Sequence, residues 1–162
     1  MSKKDSSLNI KYTVSDQTAL DQIKTLWEGL NRLMGERSPN FKEHFAAMTW
    51  EKRRSDLLKQ AAGGQMRVDI AIDAQTNVAV GYLVSSVSSE KLGTVESIFI
   101  SEKYRGLGIG VSLMNKALAW MDENGAAEKV VEATIGNEQV YGFYGRFGFL
   151  PRKTLLIQVK NA

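Results

Sequence analysis

The stretch Val95-Glu-Ser-Ile-Phe-Ile-Ser-Glu-Lys-Tyr-Arg-Gly-Leu-Gly-Ile-Gly-Val-Ser-Leu-Met114 decides how this chain folds. Its first part, carrying Val95, Ile98, Phe99 and Ile100, is a β-branched and aromatic run of the kind that forms a strand. After a polar break at Ser101 to Tyr104 the period changes. Val111, Met114, Leu118 and Met121 recur at intervals of three or four, which predicts a helix. Between the two lies Arg105-Gly106-Leu107-Gly108-Ile109-Gly110. Three glycines in five residues leave backbone N–H groups uncovered where a helix begins. Those N–H groups have no partner inside the helix, and the helix dipole adds partial positive charge. Such a join suits a phosphate or pyrophosphate. Arg105 places a fixed cation at its edge. By itself the same motif also serves as a turn that merely connects two elements.

Two phosphate loops fail against it. A Walker A loop needs Lys and Ser/Thr after its last glycine, whereas Val111 and Ser112 follow Gly110. A dinucleotide fingerprint accepts Gly106 and Gly108 but meets Val111 at its sixth position, and Ser101 to Tyr104 separates strand from glycines too widely.

A third comparison succeeds. Arg-x-x-Gly-x-Gly, following an apolar strand and opening an amphipathic helix, resembles the acyl-CoA pyrophosphate loop of the GNAT superfamily of N-acetyltransferases. Downstream, Asn137 is followed seven residues later by Tyr144 and then by Gly148-Phe149, similar to the family's Asn…Tyr-x-x-x-Gly-Phe signature. The resemblance runs from Val95 to Pro151 and is architectural before that. It implies an α/β fold: one GNAT-like domain over residues 1–162, a mixed sheet flanked by helices, and a splayed parallel strand pair that holds acyl-CoA. The first seven residues are expected to be disordered.

The resemblance also implies roles. Acetyl-CoA is the expected co-substrate and a primary amine the acceptor, attacked directly in a ternary complex. Arg105, Gly106, Leu107, Gly108, Ile109 and Gly110 would hold the pyrophosphate. Backbone N–H groups of Ile98, Phe99 and Ile100 would polarise the thioester carbonyl. Asn137 either caps the helix after it or reaches the pantetheine amides. Tyr144 is the expected proton donor to the departing thiolate, a phenol of pKa about 10 facing a thiol of about 8.5. Packing as core is its other reading, and Tyr141, one turn earlier, could face the cofactor instead. Two-residue alternation puts Glu96 on the face of Ile98 and Ile100, near the acetyl end of the strand, as a candidate general base. An ordered water, or mere substrate attraction by Glu96, would serve as well. The reading from another class is an acyl-CoA-binding regulatory module without turnover. Dimers occur widely in the superfamily, so a homodimer is open to this chain.

Composition narrows the rest. A length of 162 residues suits one sizeable core, and 43% hydrophobic with 24% charged residues is ordinary for a globular protein. Without cysteine there is neither a disulfide nor a cysteinyl acetyl-enzyme. One histidine, His44, cannot build a multi-histidine zinc site, and no metal is expected. No apolar run approaches a membrane span, and Met1 to Ser7 lacks a following apolar segment, so a cytoplasmic protein is expected. A net charge of +3 is mild. The cluster Lys52-Arg53-Arg54, between Glu51 and Asp56, is read as a solvated helix face, and no nucleic-acid partner is expected.

In chain order, Leu8 to Val14 alternates as a strand does. Ser15 or Asp16 can cap a helix bearing Leu20, Ile23, Trp27, Leu30 and Met34 that Gly35 closes. Trp27 is read as core. Ser38-Pro39 starts a broken, aromatic-rich segment where the family resemblance puts the acceptor pocket, with Glu36, Phe41 and His44 as candidate lining. Thr49 can cap the next helix, which Gly63-Gly64 stops. Strands are expected at Met66 to Ile72, Val78 to Val87, Lys129 to Ile135 and Thr154 to Val159, and short helices at Gly108 to Asn124 and Glu138 to Phe147.

Overall fold

A computed structural model of the protein describes residues 8–160, so the expectation for the first seven lies outside the described residues. The alternating segment at the start forms β1 (Ile10–Ser15). The Asp16 carboxylate accepts the Thr18 N–H at 2.9 Å, capping a tight 3-10 stretch, Gln17–Ile23, that runs straight into α1 (Lys24–Arg37). Gly35 does not close α1; it lies inside it, and a β-carbon there would sit 3.3 Å from that of Phe45. The glycine lets α2 (Lys42–Ala47) press against α1. Thr49 Oγ1 accepts the Lys52 N–H and caps α3 (Trp50–Ala62) as its sequence indicates.

β2 (Gly64–Asp73), β3 (Val78–Ser88) and β4 (Leu92–Ile100) follow as an antiparallel meander. The crossover through α4 (Ile109–Glu123) makes β5 (Glu128–Val131) parallel to β4. The result is a mixed sheet in the order β1-β2-β3-β4-β5 with helices on both faces. On one face Leu20, Ile23, Trp27, Trp50 and Leu57 cover Val68, Ile70, Tyr82 and Val84. On the other, Leu113, Met114, Ala117 and Met121 of α4 cover Ala71, Val80, Leu83 and Val95. Each wholly buried leucine or isoleucine here contributes about 1.5–3 kcal/mol.

Two irregularities shape β4. Pairing with β5 stops at Val95↔Val131, so Glu96 to Ile100 have a partner only on the β3 side. The strand pair therefore parts midway. β5 is also shorter than the apolar run to Ile135 predicts, because the chain leaves β4 after Val131. The second irregularity is a bulge: Ser97 pairs with Val84 and Val95 with Ser85, leaving Glu96 as the extra residue.

The C-terminal expectation fails. Thr154 to Val159 forms no strand, and among the described residues nothing after α5 (Val140–Gly145) is helix or sheet. Strand-forming residues need a neighbouring strand to bond, and none lies beside these. Among the described residues no helix is long and apolar enough to cross a membrane, and no group of three or more His, Asp or Glu side chains could hold a metal ion.

Candidate active site

β4 delivers the chain to the glycine loop through a short 3-10 turn, Glu102–Tyr104. Tyr104 ties this turn to the sheet by donating to Asp73 Oδ2 at 2.8 Å. That bond holds the Asp73 carboxyl below its usual range and raises the Tyr104 phenol. Gly106 and Gly108 then adopt φ of +76° and +82°. A β-carbon at either would meet nothing within 4 Å, so the left-handed backbone rather than lack of space demands glycine. Gly108 is the N-cap of α4. No side chain bonds the helix's first N–H groups, and its first turn holds no acidic residue. Gly110 has another reason: a β-carbon there would lie 3.2 Å from the Phe143 ring. Arg105 folds back, with Nε donating to the Ile100 carbonyl at 2.9 Å and its guanidinium 5.3 Å from the Phe99 ring centre. The loop is thus an open, uncapped, positively polarised cradle beside a strand that β5 leaves unpaired from Glu96 to Ile100, the Ile100 carbonyl being taken by Arg105.

Asn137 does not cap α5, whose N-cap is Gln139 without a side-chain bond. Its Oδ1 accepts instead from Arg37 Nη1 at 2.8 Å and Gln139 Nε2 at 2.7 Å. The amide nitrogen makes no hydrogen bond among the described residues and is left to donate. Beside it Gly136, at φ +94°, sits so close to α1 that a β-carbon would lie 2.2 Å from the Arg37 carbonyl oxygen.

Tyr144 on α5 is buried on the α4 side of the sheet, against Phe143 and Phe149 with ring centres 5.4 and 6.3 Å away. Burial pushes its phenol up to about 12. Tyr141 is exposed.

Glu96 departs from simple alternation. The bulge turns it away from Ile98 and Ile100, which pack toward α4, and onto the face of α1 and α3. There Ser86 Oγ donates to Glu96 Oε1 at 2.7 Å, and Arg53 Nη2 donates to the Glu96 carbonyl at 2.7 Å. Glu96 and Tyr144 therefore lie on opposite faces of the sheet.

Arg53, which the sequence places on a solvated helix face, has a structural part instead. Lys52 and Arg54 keep to the solvated face, bonding the Ala47 carbonyl and the Asp21 carboxylate at the surface, but Arg53 turns inward to the Glu96 carbonyl. A signal was present. Position 53 falls between the buried Trp50 and Leu57 on the inward stripe of α3.

On this same side a cavity of about 650 Å³ opens between α1, α2 and the start of α3. Trp27, Phe45 and Trp50 give it aromatic walls, Glu28, Glu36 and Glu51 three carboxylates, and Arg32 and Lys42 two cations. Of the three residues expected to line such a pocket, Glu36 does; Phe41 and His44 do not, and His44 is exposed. Trp27, expected as core, is 5% exposed and both packs in the core and walls the cavity. The cavity's helices reach the bulged strand, since Gly29 of α1 lies against the Phe99 ring.

A sequence model described as the acetyltransferase (GNAT) family matches residues 27–149. N-alpha-acetyltransferase MAK3 of Arabidopsis thaliana is 35% identical over 63 residues, which is 39% of this chain and 33% of that protein. N-alpha-acetyltransferase 30 of Schizosaccharomyces pombe is 38% identical over 63 residues, 39% of this chain and 42% of that protein. The chain thus spans well under half the length of these curated relatives. Among solved structures, a GCN5-related N-acetyltransferase from Ralstonia eutropha JMP134 superposes with a TM-score of 0.72 at 21% identity, over 93% of this chain and 99% of that one. An aminoglycoside N-acetyltransferase, AAC(6')-Iy, in complex with CoA, gives 0.66 at 15% identity over 99% and 100%. At these identities the structural likeness is one of fold.

Proposed function

Since the chain belongs to the acetyltransferase (GNAT) family, we propose that it moves the acetyl group of acetyl-CoA onto a primary amine by direct attack in a ternary complex. One observation carries this reading: the half of β4 left unpaired by β5 leads, through one 3-10 turn, into an uncapped helix N-terminus of glycines. The free edge suits the amide-rich pantetheine arm, which pairs as a strand would. The cradle suits the pyrophosphate, with no acidic side chain in the first turn of α4 to repel it. Asn137 keeps an amide donor for a pantetheine carbonyl while Arg37 holds its oxygen.

The placement of Glu96 and Tyr144 supports the chemistry. Acetyl transfer to an amine requires one proton to leave the attacking nitrogen and one to reach the departing sulfur. Glu96, on the cavity side, takes the first; Tyr144, on the α4 side and held in its neutral phenol form by burial, gives the second. The amine approaches through the cavity of α1 to α3, whose three carboxylates favour a cationic acceptor over an acidic one. Both kinds of name among the similar proteins, N-alpha-acetyltransferase and aminoglycoside N-acetyltransferase, denote N-acetylation.

The deciding experiment is a thermal-shift titration with acetyl-CoA, desulfo-CoA, ATP and NAD, followed by thiol release over pooled amines. A ligand that binds the folded state raises the melting temperature. Stabilisation by acetyl-CoA and desulfo-CoA, with thiol release from an amine pool, is expected. Stabilisation by ATP or NAD instead overturns the reading, and CoA binding without turnover on any amine reduces the protein to an acyl-CoA-binding module.

A further inference from the structure

The half of β4 that β5 leaves unpaired meets an arginine at each end. Arg53 Nη2 donates to the Glu96 carbonyl at 2.7 Å, and Arg105 Nε donates to the Ile100 carbonyl at 2.9 Å. The two bonds differ in setting. Arg53 reaches its carbonyl from α3, and that bond is partly buried. Arg105 is an exposed loop residue whose guanidinium lies 5.3 Å from the Phe99 ring centre, and among the described residues no carboxylate pairs with it.

The ladder decides which way the Ile100 carbonyl points. The Ser101 N–H donates to the Val80 carbonyl at 2.8 Å, so Ser101 turns its backbone groups toward β3. In an antiparallel pair that direction alternates from one residue to the next. Ile100, opposite Gly81, and Ile98, opposite Leu83, therefore turn their backbone groups outward, to the side that β5 leaves open. Phe99, between them, faces β3. Past the bulge the open edge thus offers two outward residues, and Arg105 holds the carbonyl of one.

We propose that Arg105 is a specificity-determining residue, by which this edge selects thioesters that carry a phosphate over those that consist of the pantetheine arm alone. The inference rests on the acetyl-CoA reading and goes past it. A pantetheine arm has two amides, and pairing both with Ile98 and Ile100 requires the carbonyl that Arg105 holds. Displacing the guanidinium costs its hydrogen bond unless the ligand supplies another acceptor. A phosphate at the uncapped start of α4, next along the chain, is such an acceptor. Charge-assisted bonds from arginine to phosphate are shorter and stronger than those to a neutral carbonyl. A phosphorylated thioester therefore exchanges one bond of Arg105 for a better one. An unphosphorylated thioester displaces the guanidinium and gives it nothing in return. Sharing is the competing arrangement, since a carbonyl oxygen has a second lone pair, and it predicts no gain on removing the guanidinium.

The test measures calorimetric affinities of acetyl-CoA, S-acetyl-4′-phosphopantetheine and S-acetylpantetheine for the wild type and for Arg105→Met. Methionine keeps an apolar stem against Phe99 and removes the donors. Because Arg105 is exposed, equal melting curves for the two proteins are expected. The wild type should bind both phosphate-bearing thioesters more tightly than S-acetylpantetheine. In the variant, acetyl-CoA affinity should fall about tenfold or more, while S-acetylpantetheine affinity should rise about threefold to tenfold. Movement in opposite directions is the signature of the exchange. An unchanged or lower affinity of the variant for S-acetylpantetheine overturns the proposal, and wild-type binding of acetyl-CoA then leaves the acetyl-CoA reading standing. A wild type that binds S-acetylpantetheine as tightly as acetyl-CoA also overturns it. A wild type that binds none of the three removes that reading and the proposal together.

Discussion

A guanidinium nitrogen of Arg53, on α3, donates to the main-chain carbonyl of Glu96, the extra residue of the β4 bulge, at 2.7 Å. The bond spans two layers. It ties a helix that walls the cavity to the one point of β4 where alternation breaks. Removing it frees the bulge to relax, and the Glu96 carboxylate leaves its place beside Ser86. Arg53→Met is expected to cost about 1.5–3 kcal/mol of stability and to lower kcat with little change in acetyl-CoA affinity. Arg53→Lys should recover part of both. Glu96→Gln, with the bulge intact, should lower kcat roughly 100-fold in a thiol-release assay. Full activity in that variant returns the proton to a water.

The glycine loop separates two kinds of substitution. Gly108→Ala places a side chain in a left-handed conformation and should cost about 1–2 kcal/mol while leaving the cradle open. Gly108→Asp adds negative charge at the uncapped helix start and should abolish acetyl-CoA binding in calorimetry. Equal affinity in the two variants would remove the pyrophosphate from this loop.

Burial of Tyr144 makes an alkaline prediction. Its phenol is pushed from about 10 to about 12 in the folded protein, so the folded state holds a proton that the unfolded state loses first. This contribution to stability is complete below pH 10 and is lost as the pH rises through 12. Tyr144→Phe should flatten the fall of melting temperature over that window. If the phenol also donates to sulfur, the same variant lowers kcat at neutral pH without weakening acetyl-CoA binding. Unchanged kcat leaves Tyr144 as packing.

The cavity's charge can be inverted at an expected site. Glu36→Lys and Glu51→Lys should each raise KM for a cationic amine several-fold, more at low ionic strength, and leave KM for acetyl-CoA unchanged. An effect on acetyl-CoA instead would move the amine site elsewhere.

The fold was largely legible because its signals are local. The change of period across Val95 to Met114 places β4 and α4, and Asp16 and Thr49 cap the elements their side chains suggest. The glycine loop was visible for the same reason. What escaped depends on contacts between layers. The bulge arises from the pairing of β3 with β4, so no rule of alternation along one strand puts Glu96 on the face of Ser86. Gly35 looks like a helix stop until Phe45 is seen packed on it. Thr154 to Val159 carries every strand preference yet has no ladder, since propensity supplies a strand but not its neighbour.

The close seat of Gly136 on the Arg37 carbonyl has a bearing on how acceptor range can change. α1 forms a wall of the cavity, and its last turn rests directly on the loop that carries Asn137. If the cavity takes the amine as proposed, moving α1 outward to admit a bulkier one drags that loop, and Asn137 with it. α2 is held by side chains instead, Asn31 Nδ2 of α1 donating to the Phe45 carbonyl at 2.8 Å, and its own residues are all at least partly exposed. Selection for wider acceptors should therefore accumulate changes in residues 42–47 and spare the α1 terminus, so that one hinge-like contact divides the evolvable wall of the pocket from the fixed one.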